Sequence, residues 1–111
     1  MKSAKVWRKI ELQEIEFRNW LISTGYKAKI VSDTISRLKR LEHELDNCDI
    51  DEEYHRDKCH YLLSLFVKMG KNDAMAKYHN TNLPIGKYYM NTYRYALRKY
   101  ILFSDILKSD N

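Results

Sequence analysis

The stretch AKIVSDTISRLKRLEHEL, Ala28 to Leu45, decides the fold class. Its apolar residues Ile30, Val31, Ile35, Leu38, Leu41 and Leu45 keep the three-and-four spacing of a helix with one buried side, while Lys29, Arg37 and Arg40 share the opposite side. A half-buried strand would alternate every second residue instead. Just upstream, Gly25 stands where a left-handed backbone would close an earlier helix, a conformation that glycine adopts at little cost. That earlier helix is expected to begin near Lys5 or Glu11 and end at Ile22, with Ile10, Phe17, Trp20 and Leu21 at helical spacing.

Downstream, Glu42 to Glu53 holds seven acids and no Lys or Arg. Asp51 is the expected N-cap of a third helix, with Glu52 and Glu53 beside the positive end of its dipole. Leu62, Leu63, Phe66 and Val67 extend that helix to a second glycine cap at Gly70, and Asn72 or Asp73 opens a short helix through Tyr78. HNTNLPIGK, His79 to Lys87, reads as a loop. A last helix follows from about Tyr88 to Leu107, with Tyr89, Tyr93, Ala96, Leu97, Tyr100, Ser104 and Leu107 on its inner stripe. Three Gly and one Pro are too few for the turns of a sandwich or barrel. The expected fold is therefore all-α: one domain over residues 1–111, a compact bundle of four to five helices arranged as two helical hairpins. Residues 1–10 are expected to fray.

The 111 residues carry a net charge of +5, unevenly spread. Residues 1–55 hold ten Lys/Arg against eleven Asp/Glu, residues 56–111 ten against four. Between Lys58 and Lys99 there are eight bases and a single acid, Asp73. Such a dipolar chain suits a phosphate-bearing partner on one side, although the same numbers describe an ordinary solvated surface. Two cysteines make no disulfide framework, Met1 to Glu11 has no apolar core of a secretory signal, and no apolar run approaches the roughly 20 residues of a membrane span. The expectation is a cytoplasmic protein with no membrane partner.

Two segments resemble a known family. EFRNWLISTGYKAKIVSDTISRLKRLEHEL, Glu16 to Leu45, is similar to the opening of the core-binding domain of phage-integrase-type tyrosine recombinases. The shared pattern is an aromatic helix end, a glycine turn, and a long helix ending in Leu-x-x-Leu. NTYRYALRKYILF, Asn91 to Phe103, resembles that domain's closing helix. The resemblance spans about 45 residues and implies a SAM-like bundle that clamps duplex DNA. The family's Arg-His-x-x-Arg box and nucleophilic Tyr belong to a following catalytic half, so recombinase activity is not carried over. Whether the chain is a piece of a longer recombinase stays open at this point.

The expected function is a non-catalytic double-stranded DNA-binding module of mobile-element or phage type. Lys27, Lys29, Arg37 and Arg40 of one long helix, with Lys87, Arg94 and Arg98 of the other, would meet phosphates, and Thr92 would add an uncharged contact. Tyr88, Tyr93 and Tyr95 interleave with these bases, whereas Tyr89, Tyr93 and Tyr100 are expected in the core. The alternative is a protein-docking adaptor or small inhibitor, with a homodimer as one form of it. It would use the acidic stretch, Trp7 and the tyrosines.

His55 and Cys59 lie four apart, a spacing that aims both at one point, but no further pair completes four zinc ligands. Cys59 is expected in the core and His55 at the surface. The acidic stretch lacks the glycine and twelfth-position Glu of a calcium loop, and no phosphate-cradling or nucleophile-turn motif occurs. No catalytic residue, cofactor or metal is expected.

Overall fold

The computed structural model describes residues 14–46 and 48–109. The expected fraying of residues 1–10 and the docking role of Trp7 lie outside that range. Among the described residues all regular structure is helical: α1 over residues 14–23, α2 Ala28–Glu44, α3 Ile50–Asp57, α4 His60–Ser64, α5 Asp73–Ala76 and α6 Met90–Ser109. The expected all-helical bundle is what forms.

Gly25 closes α1 as its position suggests. With φ at 100° it allows the Tyr26 amide to donate to the Leu21 carbonyl (3.2 Å) and its own amide to donate to that of Ile22 (3.0 Å). This is the paired bonding of a Schellman cap, and it turns the chain directly into α2. Lys39 of α2 then reaches Glu14 of α1 at 2.7 Å, so the two helices form an antiparallel hairpin. The bonds from Lys39 and Arg18 hold the Glu14 carboxyl below its ordinary range.

The frame is completed by α6. Val31, Ile35, Leu38 and Leu41 of α2 are buried, as are Tyr93, Leu97, Tyr100 and Phe103 of α6. Phe17 of α1 meets Tyr100 edge-on with centroids 5.1 Å apart and lies 5.3 Å from Phe103, while Trp20 sits half-buried beside Phe103. Burying each large side chain of this kind contributes roughly 1.5–3 kcal/mol.

Between α2 and α6 the chain departs from the expected single helix. Lys58 and Cys59 both take left-handed backbone, with φ of 56° and 64°, and separate α3 from α4. The cause is Asp57, whose carboxylate accepts from the amides of His60 (3.1 Å) and Tyr61 (3.0 Å). Those two donors would otherwise continue the helix. The break also drops Cys59 into the core, fully buried. The cap of α3 is Asp49, which accepts from the Glu52 amide at 3.2 Å, and not the expected Asp51. Asp51 instead lies in the first turn, 3.5 Å from the His55 ring.

A second left-handed run covers Lys68, Met69 and Gly70. Here Gly70 is needed for space as well, since an added Cβ would stand 3.3 Å from Met90 Cε and 3.4 Å from Ile85 Cγ1. Asn72 ties this turn down: its amide group donates to the carbonyls of Leu65 (3.1 Å) and Val67 (2.8 Å), and its oxygen caps α5 through the Met75 amide (2.9 Å).

Lys58 is exposed and adopts a backbone that costs a residue with a Cβ about 1 kcal/mol. Lys58→Gly removes that cost, so urea unfolding is expected to show a gain of about 0.5–1 kcal/mol, the Asp105 ion pair at 3.6 Å being too exposed to offset it.

Candidate nucleic-acid interface

Arg37 and Tyr89 fix how the two long helices stand. Arg37 Nη2 donates to the Tyr89 hydroxyl at 3.2 Å, and its guanidinium lies 5.4 Å from that ring's centroid. Near the far end, Lys99 of α6 lies 5.2 Å over the ring of Tyr26, just before α2. The start of α6 therefore meets the later part of α2, and the helices run antiparallel. Tyr89 is half exposed and serves as a clasp at the surface, contrary to its expected place in the core; Tyr93 and Tyr100 are buried as expected.

The residues expected at a phosphate-binding face divide into two groups. Lys27, Lys29, Arg37 and Arg40 follow one another along α2. Lys27 and Lys29 are exposed, and Lys29 pairs with Asp33 at 3.3 Å. Arg40 donates to the Asn82 carbonyl at 3.4 Å. Arg37 is half-buried, and its Nε has no acceptor among the described residues. Lys99, absent from the expected set, joins this group from α6. The signal for it was present: Lys99 follows Thr92 by seven residues, two helical turns along the same line.

Arg94 and Arg98 do not join them. At about 100° per residue, Arg98 points roughly 100° and Arg94 about 140° away from Lys99, the α6 residue that lies over Tyr26. They sit on the flank of α6 remote from α2, without a carboxylate partner among the described residues. Lys87 is exposed at the loop's end, ahead of α6. Thr92 has turned its hydroxyl inward to the Tyr89 carbonyl at 2.7 Å, so its proton is already committed.

The acidic stretch is largely consumed inside the molecule. Glu44 accepts from the Asn82 amide (2.6 Å) and the Thr81 hydroxyl (3.5 Å), which pins the 79–87 loop to the end of α2. Glu42 accepts from the Ile50 amide at 2.8 Å at the start of α3, and Glu53 pairs with Arg56. Only Asp46 and Glu52 of the seven are exposed. Burial, with Asp49 and Asp51 close by, pushes the Glu42 carboxyl up to about 8. Burial likewise raises Glu53. Among the described residues no three His, Cys, Asp or Glu side chains converge to hold a metal ion, and no helix is long and apolar enough to cross a membrane.

Comparison of the chain with protein-family models, curated proteins and solved structures gives no match. The likeness to integrase core-binding domains rests on the quoted segments alone.

Glu42 supplies a pH test. Its folded value of about 8 lies above the ordinary 4.5, so between those limits the folded chain holds a proton that the unfolded chain has released. Stability is thus expected to fall as pH rises from about 5 to 8. Glu42→Gln keeps an acceptor for the Ile50 amide without the charge. Urea titrations across that range should show a flatter profile and a gain on the order of 1 kcal/mol at pH 8.

Proposed function

We propose that this chain is a non-catalytic module that binds double-stranded DNA through the exposed edge of α2. The observation that carries this reading is the state of Arg37 and Arg40. Both are steadied by neutral groups, the Tyr89 hydroxyl and ring and the Asn82 carbonyl, and neither is paired with a carboxylate among the described residues. Their charge is therefore kept and their rotamer freedom reduced, which suits contact with phosphate oxygens. Lys27 and Lys29 extend the same helix towards its start, and Lys99 stands beside them across the groove. A row of cations along one helix can follow a phosphate backbone and displace its counterions. Arg94 and Arg98 belong to another flank and contribute to attraction at a distance more than to the grip.

The resemblance to recombinase core-binding domains agrees in kind, since it too implies duplex DNA held by a helical bundle. An adaptor or inhibitor working through the acidic stretch has less support, because five of its seven carboxylates are half-buried or buried and turned to capping and pairing within the chain.

Replacing both Arg37 and Arg40 by Ala is expected to weaken binding to unrelated duplexes at least tenfold. It should also reduce the slope of log affinity against log salt by roughly two units. The Arg94→Ala, Arg98→Ala pair should cost less than half as much in log affinity. Fluorescence anisotropy at three salt concentrations measures all three proteins. Wild-type protein that shows no salt-dependent binding below about 100 mM salt, or an α2 variant that binds like wild type, refutes the reading.

A further inference from the structure

The interleaving of tyrosines and arginines at the start of α6 is only partly used by the fold. Tyr88, just ahead of α6, is 77% exposed, and Tyr95, in its second turn, 53%. Among the described residues neither ring meets another ring or a cation, and neither hydroxyl has a hydrogen-bond partner. Arg94 and Arg98 likewise make no ion pair and no side-chain hydrogen bond among those residues. At about 100° per residue, Arg98 lies roughly 60° and Arg94 roughly 100° round the helix from Tyr95, both on the same side. Lys99, which reaches Tyr26 ahead of α2, lies about 40° to the other side of Tyr95 and takes no part in this patch. From Ala74 to Ser104 the chain has no Asp or Glu. Asp105, further along the same flank, is already engaged by the Tyr54 hydroxyl and by Lys58.

We propose that this patch binds an unpaired nucleic-acid strand, its bases stacked on Tyr95 and Tyr88 and its phosphates met by Arg94 and Arg98. The combination of groups selects that occupant over others. An unpaired strand offers flat ring faces and phosphates in regular alternation, and tyrosine rings set beside guanidinium groups use both at once. A duplex offers the phosphates alone, because its base faces are stacked on one another. An acidic protein segment brings charge without a repeat of ring faces. Each base has a π-face, so a site of this kind tolerates many sequences. The arginines keep their full charge for the strand, since no carboxylate among the described residues competes for them. The same flank serves duplex DNA less well than the edge of α2 does, because its tyrosines find no partner there.

This inference does not depend on the duplex reading, and its test contains no duplex. The probe is a fluorescent oligothymidylate of about 20 nucleotides, long enough for one small site, followed by anisotropy with the full chain at three salt concentrations. Wild type is expected to bind it, with affinity falling as salt rises. Tyr95→Ala should weaken binding roughly tenfold, the loss of one stacked base, while Tyr95→Phe keeps the ring and should stay within about twofold of wild type. Replacing both Arg94 and Arg98 by Ala should reduce the slope of log affinity against log salt by roughly 1.4 units, about 0.7 for each single-strand phosphate. Replacing both Arg37 and Arg40 should leave this affinity within about twofold of wild type, so the two double variants change order between duplex and single strand. Circular dichroism should show each variant folded, since Tyr95 and Arg98 are exposed and Arg94 is half-buried. Wild-type protein that leaves the strand free at about 100 μM overturns the proposal. A folded Tyr95→Ala protein that binds like wild type overturns it too, as does a larger loss on replacing Arg37 and Arg40, which seats the strand on α2 instead.

Discussion

The antiparallel packing of α2 on α6 is the constraint to which the remaining elements conform. Each of these helices is too long to bury by itself, and each has one apolar side that only the other can cover over most of its length. Once they are paired, α1 has a single place to put Phe17 and Trp20, against Tyr100 and Phe103. The segment from α3 to α5 must close the opposite side within a short span, and it does so with breaks and left-handed turns in place of one straight helix. The two clasps at the groove's ends, Arg37 with Tyr89 and Lys99 with Tyr26, are consequences of this pairing. They use cations, so the packing that stabilises the bundle also determines which charges remain on view.

Charge that is segregated along a sequence need not be segregated on a surface. The seven acids between Glu42 and Glu53 look like a solvated run, yet helix ends and loop amides claim most of them. A carboxylate beside an unsatisfied amide is worth more there than in water, because such a donor has no other partner when it is buried. Glu42 is the extreme case: it has gone far enough inside that its charged form is disfavoured at neutral pH. The bases meet the opposite circumstance. Most lysines and arginines stay outside; Arg37 is half-buried against Tyr89, and Arg40, though exposed, donates to the Asn82 carbonyl.

Much of this was readable beforehand, and the exceptions have definite causes. The periodicity of Val31 to Leu45 located α2 and its inner side, although Ile30, expected on that side, is 42% exposed. Gly25 announced its own turn because no other residue fits that backbone as cheaply. Tyr93, Tyr100 and Cys59 were expected inside and are there. The break at Lys58 and Cys59 carried no such mark, since neither is a residue that favours positive φ; it depends on a side chain, Asp57, competing for backbone donors. The exposed position of Tyr89 was missed because it precedes the first turn of α6, where the helical phase no longer fixes direction. The division of the α6 cations follows from the angular position of α2, which spacing within α6 alone does not contain.

One consequence of the α3–α4 break concerns the two thiols. Cys48 and Cys59 bracket α3, both buried, and burial pushes the Cys59 thiol up to about 12 and that of Cys48 further. Since alkylating reagents attack the thiolate, neither sulfur reacts appreciably while the bundle stays shut. Their modification therefore keeps time with opening of the fold. The molecule carries its own clock for the lifetime of its closed state, readable by mass spectrometry without any added label site.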